Sequence, residues 1–125
     1  MTNVPAWLLV AVGGAAGAVG RYGLHGWAQA RYPALNWPAG TGLVNLLGCL
    51  LAGLLLGALE RQAPTAPARL LLITGFCGGF TTFSAFALEN LHLLRSGQVL
   101  TAALYAGGSV AGGVGLAALG YWLAR

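Results

Sequence analysis

Four long apolar segments dominate this sequence and constrain its fold more than any other feature. They run roughly over residues 4–21, 40–59, 68–94 and 99–123, and the second contains no charged side chain. A helix that crosses the hydrocarbon core of a bilayer needs about 20 mostly apolar residues. The sequence therefore predicts one all-α integral membrane domain over residues 1–125, with four transmembrane helices. We expect it in the cell membrane, the inner or plasma membrane, as a multi-pass protein.

Charged side chains are too scarce to build a water-soluble surface. Only 6% of the 125 residues are charged and 58% are hydrophobic, whereas about 25% of a typical soluble domain is charged. This balance argues against a soluble enzyme and against a disordered chain. The net charge of +4 would suit nucleic acid, but the six arginines are scattered singly and form no basic patch. We expect no nucleic-acid partner.

The arginines are divided equally between the two sides of the predicted membrane domain. With four spans, both termini and the middle loop share one side, and no arginine is expected in mid-span. The two sets are Arg61, Arg69 and Arg125 on that side, and Arg21, Arg31 and Arg95 on the other. An excess of Lys and Arg normally sets orientation. Without such an excess, two interpretations stay open. The chain could insert both ways round, with antiparallel pairing of two copies, or one orientation could be set by a feature outside this count, such as the N-terminal amine.

Glycines within the spans predict closely packed helices. A small residue at every fourth position lets helix backbones approach each other in lipid. Four thin helices are too few to enclose a sizeable pathway, so we expect oligomerisation. The pairs with this spacing are Gly13/Gly17, Gly53/Gly57 and Gly108/Gly112.

The middle of the third span has an unusual composition. Residues 74–86 contain all four phenylalanines together with glycines and hydroxyl side chains. Gly78 and Gly79, followed by Thr81 and Thr82, make a poor helix centre, so we expect the helix to break there. Carbonyls freed at such breaks bind cations in membrane proteins. A site for a sodium-like ion and a plain glycine kink are both consistent with this segment.

Aromatic and hydroxyl side chains alternate around the expected break. Phe80, Phe83 and Phe86 are spaced i, i+3, i+6 and would form one stripe on a resumed helix. The positive edge of an aromatic ring favours a small anion. Thr82 and Ser84 would add hydroxyl donors. Such a stripe is more often plain packing, so packing and anion binding both remain open.

Polar pairs occur in two otherwise apolar spans. Thr41 and Asn45 in the second span, and Tyr105 and Ser109 in the fourth, are four residues apart and share a helix face. Placing an Asn side chain in the hydrocarbon core of a bilayer costs free energy unless the side chain has a hydrogen-bond partner. Asn45 would either hold two helices together or line a pathway.

The remaining acidic, histidine and cysteine residues of interest are Glu89, His25, His92, Cys49 and Cys77. Glu89, at the end of the third span, would sit in a vestibule or extend toward Arg95. His25 and His92 are expected at the membrane interface. Cysteines occur at positions 49 and 77 without a nearby ligand cluster, which indicates packing rather than metal binding.

Three motifs together resemble a known family. The runs Gly13–Tyr22, Gly40–Gly48 and Gly75–Phe86 closely resemble the signature of the Fluc (CrcB) fluoride channels. They occur in order in a four-span chain of this length, and the resemblance extends over nearly the whole protein. Two departures are minor, because Phe80 stands where the family often has Leu, and Ala85 where Thr is common.

The resemblance implies a passive fluoride channel that lowers intracellular fluoride toxicity, and no enzymatic activity. It implies a dual-topology antiparallel homodimer with two pores and a structural sodium ion at the dimer interface. The sodium ligands would be the backbone carbonyls of Gly78 and Thr81 from each subunit, and Arg21 would have a structural or vestibular role. The fluoride pathway would involve Thr41, Asn45, Thr82, Phe83, Ser84, Phe86, Glu89, Tyr105 and Ser109.

Two other membrane functions compete with the channel. A small dual-topology, proton-coupled multidrug exporter needs a membrane-embedded acid. The first, second and fourth spans have none, and Glu89 lies near a span end. A non-transporting scaffold would explain the glycines but not Asn45 or the run from Thr81 to Ser84. An enzyme would need a nucleophile and base, and no such pair is recognisable.

Overall fold

The fold is a bundle of long helices. The computed structural model describes residues 3–35, 38–62 and 66–125, and every regular element in these ranges is a helix. Four stretches within them, 6–31, 39–61, 66–95 and 99–124, are long and apolar enough to cross a membrane. The all-α class and the four spans are therefore confirmed. The elements are α1 (Ala6–Arg31), α2 (Ala39–Arg61), α3 (Ala66–Arg69), a π-helical segment (Leu70–Cys77), α4 (Gly78–Phe80), α5 (Phe83–Arg95) and α6 (Val99–Ala124).

Helix α1 is longer than the apolar segment that predicts it. The apolar run ends near Arg21, but the helix continues to Arg31 and ends where Tyr32 takes φ −128° and ψ 57°. Pro33 follows immediately, and the residue before a proline is disfavoured in the helical region. Hydropathy detects the membrane-embedded part of a helix, whereas the helix itself ends at the next structural breaker. His25 consequently lies on α1 rather than in a connecting loop.

Helix α1 packs against the first half of the third span through glycines. The Cα of Gly75 lies 3.0 Å from the position that a Cβ on Gly13 would occupy. A Cβ on Gly17 would overlap the carbonyl oxygen of Phe76, and one on Gly79 would overlap the carbonyl oxygen of Gly14. The two backbones are therefore in direct contact, as small residues permit in lipid.

Helices α2 and α6 make the second close backbone contact. A Cβ at Gly53 would overlap the carbonyl of Ala117, and one at Gly120 would overlap the carbonyl of Leu50. The expected pair on α6 behaves differently. A Cβ at Gly108 would meet no atom within 4 Å, and one at Gly112 would meet only the side chain of Leu46. This pair makes no close backbone contact with the residues that the structure describes, because α6 approaches α2 nearer its C-terminal end.

The third span changes its backbone geometry twice. The N–H of Gly78 donates to the carbonyl of Ile73, five residues back, as in a π-helix. After α4, Thr81 (φ −88°, ψ 156°) and Thr82 (φ −143°, ψ 120°) are extended. The Thr82 hydroxyl then accepts the N–H of Ala85 and caps the start of α5. Two residues of extended backbone therefore separate α4 from α5.

The phenylalanines form two pairs instead of one stripe. Phe80 is buried and stacks on Phe76, with ring centroids 5.7 Å apart and planes at 11°. Phe83 and Phe86 form the other pair, also with centroids 5.7 Å apart. The predicted three-ring stripe is wrong, because its spacing assumed a helix between positions 80 and 83. The extended residues turn Phe80 away from the other two rings.

Candidate functional site

The Asn45 side chain binds the extended backbone of the third span. Its Nδ2 donates to the carbonyl of Thr82 at 2.9 Å, and its Oδ1 accepts the N–H of Thr82 at 2.8 Å. At membrane depth, backbone groups outside helices must find partners within the protein. Asn45 supplies both partners for Thr82 and so joins α2 to the third span. An amide has two N–H donors, so the second N–H of Asn45 remains for another acceptor.

The carbonyls of Gly78 and Thr81 lose their usual helical donors. In an α-helix each carbonyl accepts the N–H four residues further on. For Gly78 that donor would be Thr82, whose N–H goes to Asn45 instead. For Thr81 it would be Ala85, whose N–H goes to the Thr82 hydroxyl at 3.3 Å. Both carbonyls are therefore available to a further ligand.

Arg21 contacts the same segment from α1. Its Nε donates to the carbonyl of Gly79 at 3.1 Å, and Gly79 lies near the middle of the span 66–95. Arg21 is therefore not a loop charge, because it lies within α1 and binds the third span. The cause is the length of α1, which places Arg21 inside the helix rather than at its end.

Five of the expected pathway residues line one cavity. Its volume is about 260 Å³. Sequence reasoning missed Cys49 and Val110 in the wall. Cys49 lies four residues after Asn45, which was the available signal, and nothing in the sequence singles out Val110. The lining residues are Asn45, Cys49, Thr81, Thr82, Phe83, Phe86, Ser109 and Val110.

Glu89 joins three helices through its carboxylate. Its Oε1 accepts the hydroxyl of Thr41 at 2.5 Å, and its Oε2 accepts the hydroxyl of Tyr105 at 2.8 Å. The alternative in which Glu89 extends toward Arg95 is therefore wrong. The ring of Tyr105 also lies 5.1 Å from that of Phe86, which connects this network to the cavity.

The remaining expected site residue, Ser84, lies outside the cavity wall. It is exposed, and its hydroxyl oxygen lies 3.4 Å from that of Thr82. Thr41 and Thr82 also line a smaller cavity of about 200 Å³, together with Arg21 and His25. The expected site residues therefore cluster around the extended turn and the Glu89 carboxylate.

Tyr105→Phe is expected to lower the stability of the protein by about 1–3 kcal/mol, because it takes a hydroxyl donor from the Glu89 carboxylate. Thermal unfolding in detergent measures this effect. Tyr22→Phe is the matched control, since Tyr22 is 82% exposed and surface substitutions change stability by about 0.5 kcal/mol or less. Equal unfolding midpoints for the two variants would contradict the role assigned to the Tyr105 hydroxyl.

Comparison with known proteins places the chain in a family. Residues 8–121 match the family model described as CrcB-like protein, Camphor Resistance (CrcB). A protein of Hyphomonas neptunium named fluoride-specific ion channel FluC is 52% identical over 121 residues, covering 95% of this chain and 94% of its own length. Two further proteins have the same name. The one from Thermus thermophilus is 48% identical, and the match covers 97% of this chain and 94% of that protein. The one from Nitratidesulfovibrio vulgaris strain Miyazaki F is 44% identical, and the match covers 94% of this chain and 95% of that protein. With four spans the protein is a multi-pass membrane protein, and the chain belongs to the CrcB family.

Proposed function

We propose that this protein is a fluoride-selective ion channel that lets fluoride leave the cell passively across the cytoplasmic membrane and so lowers its toxicity. The observation that carries the proposal is the cavity beside the extended turn, where an amide, hydroxyls and two phenyl rings meet within the membrane spans. The names of the relatives support the same function. An ion that passes unchanged needs no catalytic groups, so we assign no enzymatic activity.

The chemistry of the cavity suits a small anion that must leave as easily as it enters. Asn45 has a second N–H beside the one that binds Thr82, Ser109 has a hydroxyl, and Phe83 and Phe86 can offer ring edges, which are weakly positive. The sequence has no lysine. Conduction needs several weak sites rather than one strong one. From the cavity, the contact between Phe86 and Tyr105 leads on to Glu89.

We propose that the working unit is an antiparallel, dual-topology homodimer whose third helix acts as two half-helices. The support is the outward face of the third span. Phe83 is 79% exposed, and Thr74, Gly78 and Ser84 are also exposed. Irregular backbone at membrane depth is tolerated where protein covers it or where it lines a water-filled cavity. A second copy would cover this face and complete the wall beside Phe83.

A structural sodium ion at the dimer interface is part of the same proposal. The carbonyls of Gly78 and Thr81 have lost their helical donors, and oxygen atoms are the ligands that hard cations take. Two carbonyls from each copy would supply four oxygens. Their bound cation would hold the two extended turns together and make the centre more positive.

The multidrug exporter is the less favoured alternative. Its mechanism needs an embedded acid that exchanges protons. The sequence has two acids: Glu60 accepts the hydroxyl of Tyr121 near the end of α2, and Glu89 is engaged by two hydroxyl donors. The relatives are named as channels.

The test is ion efflux from liposomes that contain the purified protein. We expect rapid fluoride efflux and no comparable chloride efflux. Phe83→Ile should slow fluoride about fivefold, because an aromatic ring contributes about 1 kcal/mol of specific interaction and about 1.4 kcal/mol corresponds to a tenfold change in rate. Phe76→Ile, which alters a ring on the other side of the turn, should retain efflux per folded protein. Absence of fluoride efflux from folded protein, or equal chloride efflux, would overturn the proposal.

A further inference from the structure

Two helix ends carry the same three kinds of side chain. The α1 cluster is Trp27, Arg31 and Tyr32, and the α6 cluster is Tyr121, Trp122 and Arg125. Each cluster thus contains one tryptophan, one tyrosine and one arginine. Four consecutive spans alternate in direction, so the last turn of α1 and the last turn of α6 lie on opposite sides of the membrane. Each side of the membrane therefore has one cluster.

Side-chain contacts make the α1 cluster one continuous surface. Trp27 and Arg31 are four residues apart, so they share a helix face. The guanidinium carbon of Arg31 lies 5.5 Å from the centre of the Tyr32 ring. The rings of Trp27 and Tyr32 meet edge to face, with centroids 6.3 Å apart and planes at 87°. All three side chains are exposed, so a molecule outside the bundle can contact them together.

The α6 cluster has the same construction. The guanidinium carbon of Arg125 lies 3.9 Å from the centre of the Trp122 ring, and the Trp122 and Tyr121 rings meet edge to face at 6.0 Å and 77°. An aromatic ring attracts a guanidinium through the face of the ring. The five N–H donors of a guanidinium lie in its own plane. The contact with the ring therefore orients the arginine and leaves donors for an oxygen anion.

The lengths of α1 and α6 place both clusters at the level of the lipid headgroups. Each helix has 26 residues, which corresponds to about 39 Å at 1.5 Å per residue. The hydrocarbon core of a bilayer is only about 30 Å thick. The last turn of each helix therefore extends into the interfacial region, where tryptophan and tyrosine are enriched.

We propose that the two clusters are binding sites for the headgroup of an anionic phospholipid, one in each leaflet. The arginine binds the phosphate through paired N–H donors, and the indole N–H and the phenol hydroxyl donate to neighbouring oxygens of the lipid. A zwitterionic headgroup gains less, because its own ammonium group already neutralises the phosphate. Whichever way round the chain inserts, each leaflet meets one cluster. The inference does not depend on fluoride conduction.

The surrounding charges favour an anion on both sides of the membrane. The α1 side has Arg21, Arg31, Arg95 and Glu89, and the α6 side has Arg61, Arg69, Arg125 and Glu60. With neutral histidines, three positive charges and one negative charge give each side a net charge of +2. Glu89 accepts hydrogen bonds from two hydroxyls within the bundle. Glu60 accepts the hydroxyl of Tyr121 and is offset by its neighbour Arg61.

Native mass spectrometry of the full-length protein in mild detergent tests the proposal. The probes are phosphatidylglycerol and phosphatidylcholine with identical acyl chains. We expect the natural protein to bind phosphatidylglycerol about fivefold more tightly, the effect of one arginine near an anionic lipid surface. Arg31→Gln and Arg125→Gln should each lose this preference at one cluster, and the double variant should bind the two lipids equally. Only protein that elutes as the natural species is compared.

Arg95→Gln is the matched control for Arg31→Gln. Arg95 ends α5 on the same side of the membrane and is exposed. Among the residues that the structure describes, no aromatic ring lies against its guanidinium. This variant should keep the lipid preference of the natural protein. Trp122→Leu retains Arg125 but removes the ring and the indole N–H, and it should weaken the binding of phosphatidylglycerol at the α6 cluster.

Three results would overturn the inference. One is equal binding of the two lipids by the natural protein. Another is an equal loss of preference in Arg95→Gln and Arg31→Gln, which would assign the effect to surface charge in general. The third is displacement of bound phosphatidylglycerol by inorganic phosphate, which would indicate a site for a free anion instead of a lipid headgroup.

Discussion

Asn45→Asp is expected to slow fluoride efflux at least about 100-fold at pH 8. The substitution keeps the size of the side chain, and one oxygen still accepts the Thr82 N–H. The other oxygen replaces the Asn45 Nδ2, which donates to the Thr82 carbonyl at 2.9 Å, and it cannot donate a hydrogen bond in its place. The new carboxylate also repels the incoming anion. Two like charges about 4 Å apart at an effective dielectric constant near 20 repel by about 4 kcal/mol, more than the roughly 2.7 kcal/mol that a 100-fold change requires.

Asn90→Asp is the control for a negative charge placed elsewhere in the third span. The amide of Asn90 donates to the carbonyl of Phe86 at 3.0 Å, within its own helix. We expect a loss of about threefold or less for this variant, with both rates normalised to protein that elutes as a folded species. Equal losses in the two variants would assign the effect to charge in general and would contradict the specific role of Asn45.

Gly17→Ala is expected to destabilise the protein by about 3 kcal/mol, the upper end of the usual cost of overpacking. The added Cβ would overlap the carbonyl oxygen of Phe76 and lie 2.8 Å from the nitrogen of Phe80. Both atoms belong to the backbone, so no side-chain rotation relieves the overlap and α1 must move away from the third span. The midpoint of thermal unfolding in detergent and the yield of folded protein measure the loss.

Gly23→Ala gives a control on the same helix. A Cβ at Gly23 would meet no atom within 4 Å, and Ala favours a helix interior over Gly by about 1 kcal/mol. This variant should be as stable as the natural protein or slightly more stable. A similar loss in Gly17→Ala and Gly23→Ala would show that the close backbone contact does not decide the result.

Local properties of the sequence predicted the class of protein and the region of the site. A span depends on about 20 consecutive apolar residues, so hydropathy found all four. The misjudged positions depend on distant parts of the chain. Arg21 finds its partner Gly79 across 58 residues, and the direction of Phe80 depends on a turn that breaks the helical spacing. Cys49 was read as packing alone because its neighbour across the cavity, Ser109, comes from another helix.

The sequence by itself determined the number of spans, the small residues for close packing and the motifs shared with the CrcB family, because each of these is a property of neighbouring residues. Only the tertiary structure decided what the polar side chains bind. Asn45 reaches Thr82 across 37 residues, and Glu89 reaches Thr41 across 48 and Tyr105 across 16. Hydrogen bonds form only at short distance and in suitable directions. These partners were therefore settled by the packing of the helices and by the extended turn.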